Sequence, residues 1–488
     1  MIQKYLIRYV LAPLGGVMER ISERVRDFLF VLAGLCVILQ FFLRNMSLAQ
    51  YRFLIFYAID CLFLGVMILC TASKDMKPVK FRWPVAVCWF AVGFFMLLSG
   101  VINNVDYLPE AMLFLVAYPV LFICWNNCDR TRIFRLLLLI CKLALVIFAV
   151  ASFLFAKIKS ERYPGIFNNT NGAAYFLAVC VTCQLVELMY EKRFGLKTVV
   201  DILLLGLAAA LLYYTNSRTG PLGVIFAIIG GLGMYLLTHT WKENAKCLLR
   251  IGIAGAVAVI ISMNLVYVFQ MRPQMDFPVY FNSESGQFYT VKKAAASKDN
   301  AASKDNAVSK DNSQKESDKK EEYFDTSGFN TVTDQKSSTE NKTMDQYSTG
   351  RISIWKAYAK DLNWTGHAST PKVYIDWMYK EISTTHMTIL QVAYESGIPA
   401  GIFYFLLNMG TGFVSIWFVW KNRKERYAAM PLMITLVFGV MSMLGSCGVS
   451  LWYMTTLYYY LVQFPILAYS PEDGEEKAAL KAADNLEQ

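Results

Sequence analysis

Residues 133–156 read IFRLLLLICKLALVIFAVASFLFA, an apolar run whose only charged side chains are Arg135 and Lys142. About 20 apolar residues let an α-helix cross a bilayer, because the helix satisfies its own backbone polar groups where water is absent. This stretch therefore predicts a transmembrane helix. Similar runs recur along the chain, and together they decide its fold class.

The pattern predicts an all-α, polytopic membrane protein with twelve transmembrane helices. Of the 488 residues, 56% are hydrophobic and the mean hydropathy is +0.37, whereas a soluble domain holds far fewer long apolar runs. The predicted spans are 28–43, 52–70, 83–102, 108–125, 133–156, 170–190, 199–214, 219–238, 248–268, 398–420, 430–446 and 449–468. Nine of them, within residues 28–268, precede a long loop, and three follow it.

Basic residues concentrate in alternate connections between the predicted spans. Residues 1–27 carry five cations, and further clusters of Lys and Arg follow spans two, four, six, eight and ten. Under the positive-inside rule these connections, residues 1–27 and the tail 469–488 are predicted to be cytoplasmic. Residues 1–27 also lack the small-residue cleavage site of a signal peptide, so the first span is expected to remain as an anchor.

The loop 269–385 follows the ninth span and is therefore predicted to be extracytoplasmic. Its residues 281–348 are rich in Ser, Lys, Asp and Asn, and they contain a repeated SKDN unit within 297–312. Such a segment cannot bury enough apolar surface to offset the entropy of ordering, so it is predicted to be a disordered spacer. Residues 350–385 are predicted to form short helices.

The first of these short helices is predicted to begin at Arg351 and to lie on the membrane surface. Its apolar side chains recur at helical spacing. The predicted apolar face consists of Ile352, Trp355, Ala359 and Leu362.

Residues 386–468 are predicted to form a re-entry segment and the last three spans. Because residues 386–420 are too many for one crossing, a new helix is expected at the break Gly397–Gly401, with Pro399 in its first turn. His386 opens this segment, beside the polar loop. An imidazole there could act as a general base near neutral pH, although a His at a helix end is often a plain boundary residue.

The net charge of +10 does not indicate a nucleic-acid partner. Within 270–385, 16 Lys and Arg balance 16 Asp and Glu, so the excess lies elsewhere and reports membrane topology. None of the eleven Cys lies in 270–385, which excludes a disulfide framework in the exported loop. HExxH, paired CxxC and carboxylate-cluster motifs are absent from the sequence, so neither a bound metal nor another cofactor is expected.

Arginine is rare in the predicted outer connections, which directs attention to Arg218 and Arg351. Arg218 lies in the polar turn Tyr214–Pro221 between two apolar spans. A guanidinium in a low-dielectric setting offers five fixed donors, which suits a phosphate or a diphosphate. Two alternatives stay open: Arg218 as a residue that snorkels to lipid headgroups, and Arg351 as a solvated residue at a helix start.

The segment YPGIFNNTNG, residues 163–172, precedes the sixth span and includes Asn168 and Asn171. Hydrogen-bonding side chains at an outer helix N-terminus could bind a sugar or a phosphate, although N-capping alone explains one or two of them. His367, in the segment WTGHA, is a second imidazole candidate. His239 lies at the predicted cytoplasmic end of the eighth span, away from any chemistry on the outer side.

Five features in this order resemble the O-antigen ligase/polymerase family of bacterial membrane glycosyltransferases. They are a Pro-Gly-x-Phe-x-Asn segment, a Ser-Arg-x-Gly turn, an Arg-x-x-x-Trp helix in a large outer loop, a Gly turn, and a His before a Gly-x-x-x-Gly break. They occupy Pro164–Asn171, Ser217–Gly220, Arg351–Trp355, Gly366 and His386–Gly401.

This sequence departs from the family pattern at two places. It has Gly366-His367-Ala368 where many members have Gly-x-Gly, which puts the role of that turn in doubt. The repeat-rich insertion is not a hallmark of the family.

The resemblance implies a polymerase that joins oligosaccharide units linked to undecaprenyl diphosphate, at the outer face of the bacterial cytoplasmic membrane. His386 would be the base on the acceptor hydroxyl, and Arg218 and Arg351 would hold the diphosphate. The further predicted substrate-binding residues are Asn168, Asn171, Trp355 and His367. The implied transfer inverts the anomeric carbon without a metal. The implied partners are the lipid-linked donor, an acceptor glycan, the bilayer, and a flippase and a chain-length regulator of the same pathway.

Three alternatives stay open on the sequence alone. A ligase that moves a finished glycan to another acceptor fits the same residues. A transporter is disfavoured by the nine-to-three division of the spans, the lack of two similar halves and the few charges within spans. A scaffold for protein partners is the third alternative, suggested by the spacer.

Overall fold

The computed structural model describes residues 2–45, 53–105, 107–156, 162–167, 169–271, 279–282, 287–290, 345, 348, 350–375, 380–382, 384–445, 447 and 454–469. These residues form a helical bundle with two short β-hairpins. The prediction of an all-α, polytopic membrane protein is confirmed, since nine described helices are long and apolar enough to cross a membrane.

Helices before the loop are separated by short connections, and three of them continue through one π-helical turn each. They are α1 (Ile2–Leu6), α2 (Ala12–Met18), α3 (Glu23–Asn45), α4 (Phe53–Thr71), α5 (Trp83–Asn103), α6 (Leu108–Met112), α7 (Tyr118–Trp125), α8 (Arg130–Phe155), α9 (Thr170–Tyr190), α10 (Leu196–Tyr214), α11 (Thr219–Ala227), α12 (Gly233–Thr238) and α13 (Trp241–Met271). The π-helical turns are Ile7–Leu11, Leu113–Ala117 and Ile228–Leu232.

Elements from the loop onward are shorter until the final helices. They are β1 (Val279–Asn282), β2 (Gln287–Thr290), α14 (Arg351–Lys360), β3 (Val373–Ile375), β4 (Lys380–Ile382), α15 (Thr388–Ser396), α16 (Ile398–Lys421), α17 (Met430–Leu444) and α18 (Met454–Gln463), which ends in a 3-10 turn, Phe464–Ile466. Strand β1 pairs antiparallel with β2, and β3 pairs antiparallel with β4.

A helix lies at each of the twelve predicted spans, but the helices differ in length. The nine long apolar stretches are Glu23–Phe42, Trp83–Asn103, Leu108–Trp125, Arg130–Phe155, Thr170–Tyr190, Leu196–Tyr214, Thr219–Thr238, Trp241–Val268 and Ile398–Lys421. The other three positions are occupied by α4, which has 19 residues, and by the shorter helices α17, with 15 residues, and α18, with 10. A total of twelve crossings therefore stays a prediction.

Helix α9 is the centre of the bundle. Every residue from Gly172 to Met189 is buried, as expected of a helix that is apolar all round and enclosed by others. It contacts α8, α10, α11, α13, α17 and α18. At one end of the bundle the N-terminus of α9 meets the described residues of 162–167, 214–220, 350–375 and 384–396, and we call this the loop end. The opposite end, which carries Glu187, Glu191 and Lys197, we call the basic end.

The basic end is cross-linked by buried ion pairs. The Nζ atom of Lys142 on α8 lies 2.5 Å from the Asp201 carboxylate on α10, and Asp201 is fully buried. The Nζ atom of Lys197 lies 2.7 Å from Glu187 and 2.6 Å from Glu191. Charges inside a membrane protein are commonly paired in this way. Although the carboxylates of Glu187, Glu191 and Asp201 lie within 4.8 Å of one another, the Lys197 ammonium occupies their midst, so ion pairing explains the cluster.

Most of the loop 269–385 that precedes α14 lies outside the described residues. The prediction that 281–348 is a disordered spacer therefore stays a prediction, apart from the paired strands β1 and β2 at its start. Helix α14 lies where the sequence predicts a short helix, but the prediction of short helices throughout 350–385 is wrong, since the strands β3 and β4 form a hairpin there.

The buried face of α14 differs from the predicted one. Ile354 and Tyr358 are buried, whereas Ala359 is exposed. The reason is that α14 packs on α15: the rings of Tyr358 and Tyr394 meet edge to face at 4.9 Å, and the Tyr358 hydroxyl donates to the Pro371 carbonyl at 2.7 Å. The helix is thus a packed part of the fold rather than a helix held by lipid alone.

The predicted helix break at Gly397–Gly401 is confirmed. Helix α15 ends at Ser396 and α16 begins at Ile398, with Pro399 in its first turn. Gly397 has φ +91°, which L-residues rarely adopt, and a Cβ atom there would overlap the Trp364 carbonyl. The Ile398 N–H donates to the Asn363 carbonyl at 2.9 Å, so the turn Asn363–Gly366 and the helix break hold each other in place.

Candidate functional site

The N-terminus of α9 is joined to the turn that carries Arg218. Asn169 is the N-cap, and its Oδ1 accepts from the Asn171 backbone N–H at 2.9 Å. The Asn171 side chain instead reaches across, and its Oδ1 accepts from the Ser217 hydroxyl at 3.1 Å. The N-capping alternative therefore applies to Asn169, not Asn171. Asn168 lies outside the described residues.

Arg218 is exposed at the loop end, on a turn fixed to its surroundings. Asn216 has φ +49°, and the Ser217 hydroxyl lies 3.1 Å from that of Thr219. Gly220 packs on α9 so closely that a Cβ atom would come 3.1 Å from the Ala174 carbonyl oxygen. The backbone around Arg218 is thus held, while its guanidinium stays accessible.

Arg351 opens α14. Burial lowers the pKa of the Arg351 guanidinium, Tyr175 of α9 raises it and the positive charge of Arg218 lowers it further. Arg218 and Tyr175 therefore lie within electrostatic range of Arg351. Two positive charges that influence each other in this way suit a dianionic ligand.

His386 lies in a tight turn that α14 helps to hold. Its φ is +51°, and its Nε2 lies 3.5 Å from the Thr384 hydroxyl. The Trp355 indole N–H donates to the Thr385 carbonyl at 3.0 Å. Trp355 is one helical turn after Arg351, so α14 connects Arg351 directly with the His386 turn. The predicted substrate-binding role of Trp355 is thus accompanied by a structural contact.

A second connection runs from the His386 turn to α9. The Thr388 hydroxyl donates to the Gly445 carbonyl at 3.3 Å and accepts from the Cys447 N–H at 2.9 Å. Gly445 in turn lies against Tyr175, since a Cβ atom on it would overlap the tyrosine hydroxyl. Arg351 and the His386 turn are therefore both connected to Tyr175 of the central helix α9.

His367 lies apart from this contact chain, in the turn after α14. Its Nδ1 lies 3.0 Å from the Tyr394 carbonyl, and its Nε2 lies 3.3 Å from the Asp361 carboxylate and 3.1 Å from Asn363 Nδ2. The ring also stacks on Tyr394 with centroids 4.0 Å apart. Because both nitrogens and one ring face are engaged in packing, the geometry favours a structural role over the predicted substrate contact.

The candidate site at the loop end therefore consists of Asn171, Arg218, Arg351, Trp355 and His386. The sequence prediction did not include Tyr175, which reads as an ordinary aromatic residue within an apolar span. It also did not include the polar side chains of α15, which carry no motif. The chain matches no protein-family model and no curated protein. Its function is therefore inferred from residues and geometry.

Proposed function

We propose that the chain is a polysaccharide polymerase that joins lipid-diphosphate-linked oligosaccharide units at the outer face of the bacterial cytoplasmic membrane. One arrangement carries the proposal: Arg218 and Tyr175 lie within electrostatic range of Arg351, and the His386 turn is hydrogen-bonded to α14 and to Gly445, which packs against Tyr175. A pair of arginines suits a diphosphate, and a nearby imidazole suits removal of a proton from a hydroxyl.

In the proposed step one bond to the anomeric carbon forms and another bond to the same carbon breaks. An acceptor hydroxyl oxygen attacks the anomeric carbon of the donor, and its proton passes to the His386 imidazole. The bond from that carbon to the diphosphate oxygen breaks, with the electron pair leaving on undecaprenyl diphosphate and with inversion at the carbon. Arg218 and Arg351 stabilise the charge on the leaving group, and fixed cations of this kind are most effective where water is scarce.

A ligase that transfers a finished glycan to a different acceptor is the nearest alternative, because it needs the same base and the same diphosphate site. A transporter has less support. The buried carboxylates Asp201 and Glu187 pair with lysines, whereas transporters place charged or unwound segments at midplane binding sites. The reaction products, rather than the residues of the site, distinguish the polymerase from the ligase.

The decisive experiment reconstitutes the protein with lipid-diphosphate oligosaccharides from the host and sizes the products. His386→Ala and Arg218→Ala should each reduce polymer formation at least about a hundredfold, because each removes a group that acts in the transition state. The matched controls are His239→Ala and Arg24→Ala at the opposite end of the bundle, which should retain full activity.

The products decide between the readings. A ladder of repeat units supports the polymerase, and a single transfer to a distinct acceptor supports the ligase. Substrate uptake into vesicles without new glycosidic bonds supports the transporter. Full polymer from both His386→Ala and Arg218→Ala would overturn the proposal.

A further inference from the structure

Thr385 stands immediately before His386 and is held at each of its polar groups. Its backbone N–H donates to Gln391 Oε1 at 3.1 Å, and its carbonyl accepts from the Trp355 indole at 3.0 Å. Its hydroxyl accepts from the Met387 N–H at 3.2 Å. Thr385 is fully buried. Side chains of α14 and α15 thus fix Thr385, which immediately precedes His386 and its left-handed backbone conformation.

The Gln391 side chain can take only one orientation in this arrangement. An amide group has one accepting end and one donating end. The Thr385 N–H can only donate, so Gln391 Oε1 faces it, and Gln391 Nε2 then donates to Glu395 Oε1 one helical turn later. A carboxylate oxygen is a suitable acceptor for that donor. Glu395 therefore reinforces the same amide orientation that Thr385 requires.

We infer that Gln391 and Glu395 are positioning residues for the His386 turn, acting through the Thr385 backbone to hold the imidazole where the transfer needs it. The inference rests on the proposed function for its catalytic meaning. Its structural part stands on the hydrogen bonds that lead from Glu395 through Gln391 to Thr385. A reversed or missing Gln391 amide would leave the Thr385 N–H without its acceptor and free the turn.

The surroundings of Glu395 support this role. Its backbone carbonyl accepts from the Ser99 hydroxyl of α5 at 2.8 Å, and its Oε1 lies 3.5 Å from the Thr370 hydroxyl. Burial raises the pKa of the Glu395 carboxyl to about 7, opposed by the hydrogen bond from Gln391 and assisted by the charge of Glu110.

Glu110 of α6, Tyr107 just before it and Tyr358 of α14 interact electrostatically with Glu395. The turn after α14 packs against Glu395 through Gly366, and its His367 and Asp361 bond the neighbouring Tyr394. Helices α5 and α17 contain no charged residue, and the only charge of α16 is Lys421 at its far end. Because an ionised acceptor forms a stronger hydrogen bond, the hold on Gln391 strengthens as the pH rises through about 7.

Histidine NMR tests the inference without relying on catalysis, because the chain contains only three His. The protein is labelled at His, placed in lipid nanodiscs, and assigned with His239→Gln and His367→Gln. Gln391→Leu and Glu395→Ala should shift or split the His386 signal, whereas the His239 signal stays in place. Glu395→Gln keeps an accepting oxygen for Gln391 and should restore the wild-type signal. Lys356→Ala, on the exposed side of α14, is the control.

In the transfer assay, Gln391→Leu and Glu395→Ala should lower kcat on the order of ten- to a hundredfold, since small misplacements of a catalytic group have effects of this size. The KM for the lipid-diphosphate donor should change less than about twofold. An unchanged His386 signal in both variants overturns the inference. If one variant folds poorly, the His386 signal of the other variant decides. If the signal shifts but the wild type makes no glycosidic bond, the proposed function fails and the positioning network stands.

Discussion

At the scale of single residues, the His386 turn is the most constrained part of the candidate site. A positive φ is uncommon outside Gly, although His is among the residues that tolerate it better, and such a conformation persists only where neighbours enforce it. Here Trp355 and Gln391 hold the preceding peptide from two helices. A lone His in a sequence gives no sign of this support, which is why the sequence left a plain boundary residue as an alternative.

Glu395 should make the stability of the protein depend on pH. Its pKa is raised from 4.5 to about 7 in the folded state, so the folded state binds the proton more tightly than the unfolded state. The resulting stabilisation is fully present below pH 4.5 and is lost as the pH rises through about 7. Its size is on the order of 2 kcal/mol, allowing for partial exposure.

The measurement is the unfolding temperature of wild type and Glu395→Gln in detergent between pH 4.5 and 8. The variant cannot ionise at this position, so the difference between the two proteins should change across the window, with the wild type losing stability relative to Glu395→Gln at higher pH. If the unfolding temperatures of the two proteins changed with pH in parallel, the raised pKa assigned to Glu395 would be contradicted.

At the scale of elements, the junction of α15 and α16 at Gly397 sets the direction of α15 relative to α16. Gly397 combines φ +91° with ψ 157°, a region that is essentially restricted to Gly. Gly366 has φ +81° and packs against the Glu395 carbonyl oxygen with no room for a Cβ atom. Two glycines thus let the turn after α14 lie directly on the end of α15, which brings α14 and the His386 turn together.

Gly397→Ala should destabilise the protein by at least about 2 kcal/mol, because it combines backbone strain with a steric overlap at Trp364. Gly252→Ala in α13 is the matched control: its added Cβ atom meets open space, and Ala is the better helix former by about 1 kcal/mol. Unfolding in detergent, followed by circular dichroism, should show loss for the first variant and none for the second. Equal effects would mean that the junction is not specifically strained.

At the scale of the whole molecule, the two ends of the bundle are built differently. The loop end is held by hydrogen bonds and close backbone contacts, and among the described residues neither Arg218 nor Arg351 forms an ion pair with a carboxylate. The basic end is held by ion pairs of buried carboxylates that join α8, α9 and α10, and Arg426 of the α16–α17 connection lies 3.7 Å from Glu191. Central helix α9 joins the two ends.

Asp201→Ala should destabilise the bundle by about 3–5 kcal/mol, because it leaves Lys142 buried without its carboxylate. Replacing both partners, as Lys142→Met with Asp201→Leu, should recover most of that loss. The control is Glu23→Ala, which removes an exposed ion pair with Arg132 and should change stability by less than about 1 kcal/mol. Thermal unfolding in detergent measures all three, and a double variant as unstable as Asp201→Ala would contradict the pairing.

The sequence by itself determined the class of the protein and the position of its helices. Long apolar runs, alternating basic connections and the Gly397–Gly401 break depend on local composition, and lipid leaves few backbone solutions besides the helix. The short helix at Arg351 was predictable for the same reason, but its buried face was not, since Ile354 and Tyr358 face α15 through a contact distant in sequence.

Only the tertiary structure decided which candidates meet. It placed Arg218 and Tyr175 within electrostatic range of Arg351, put His367 into a packed turn, and joined Gln391 and Glu395 to the peptide before His386. The first two relations join residues tens to hundreds of positions apart, whereas the bonds from Gln391 to Thr385 and Glu395 are local. Side-chain periodicity records which way a residue faces on its own helix, whereas the neighbour it meets depends on how the helices pack against one another.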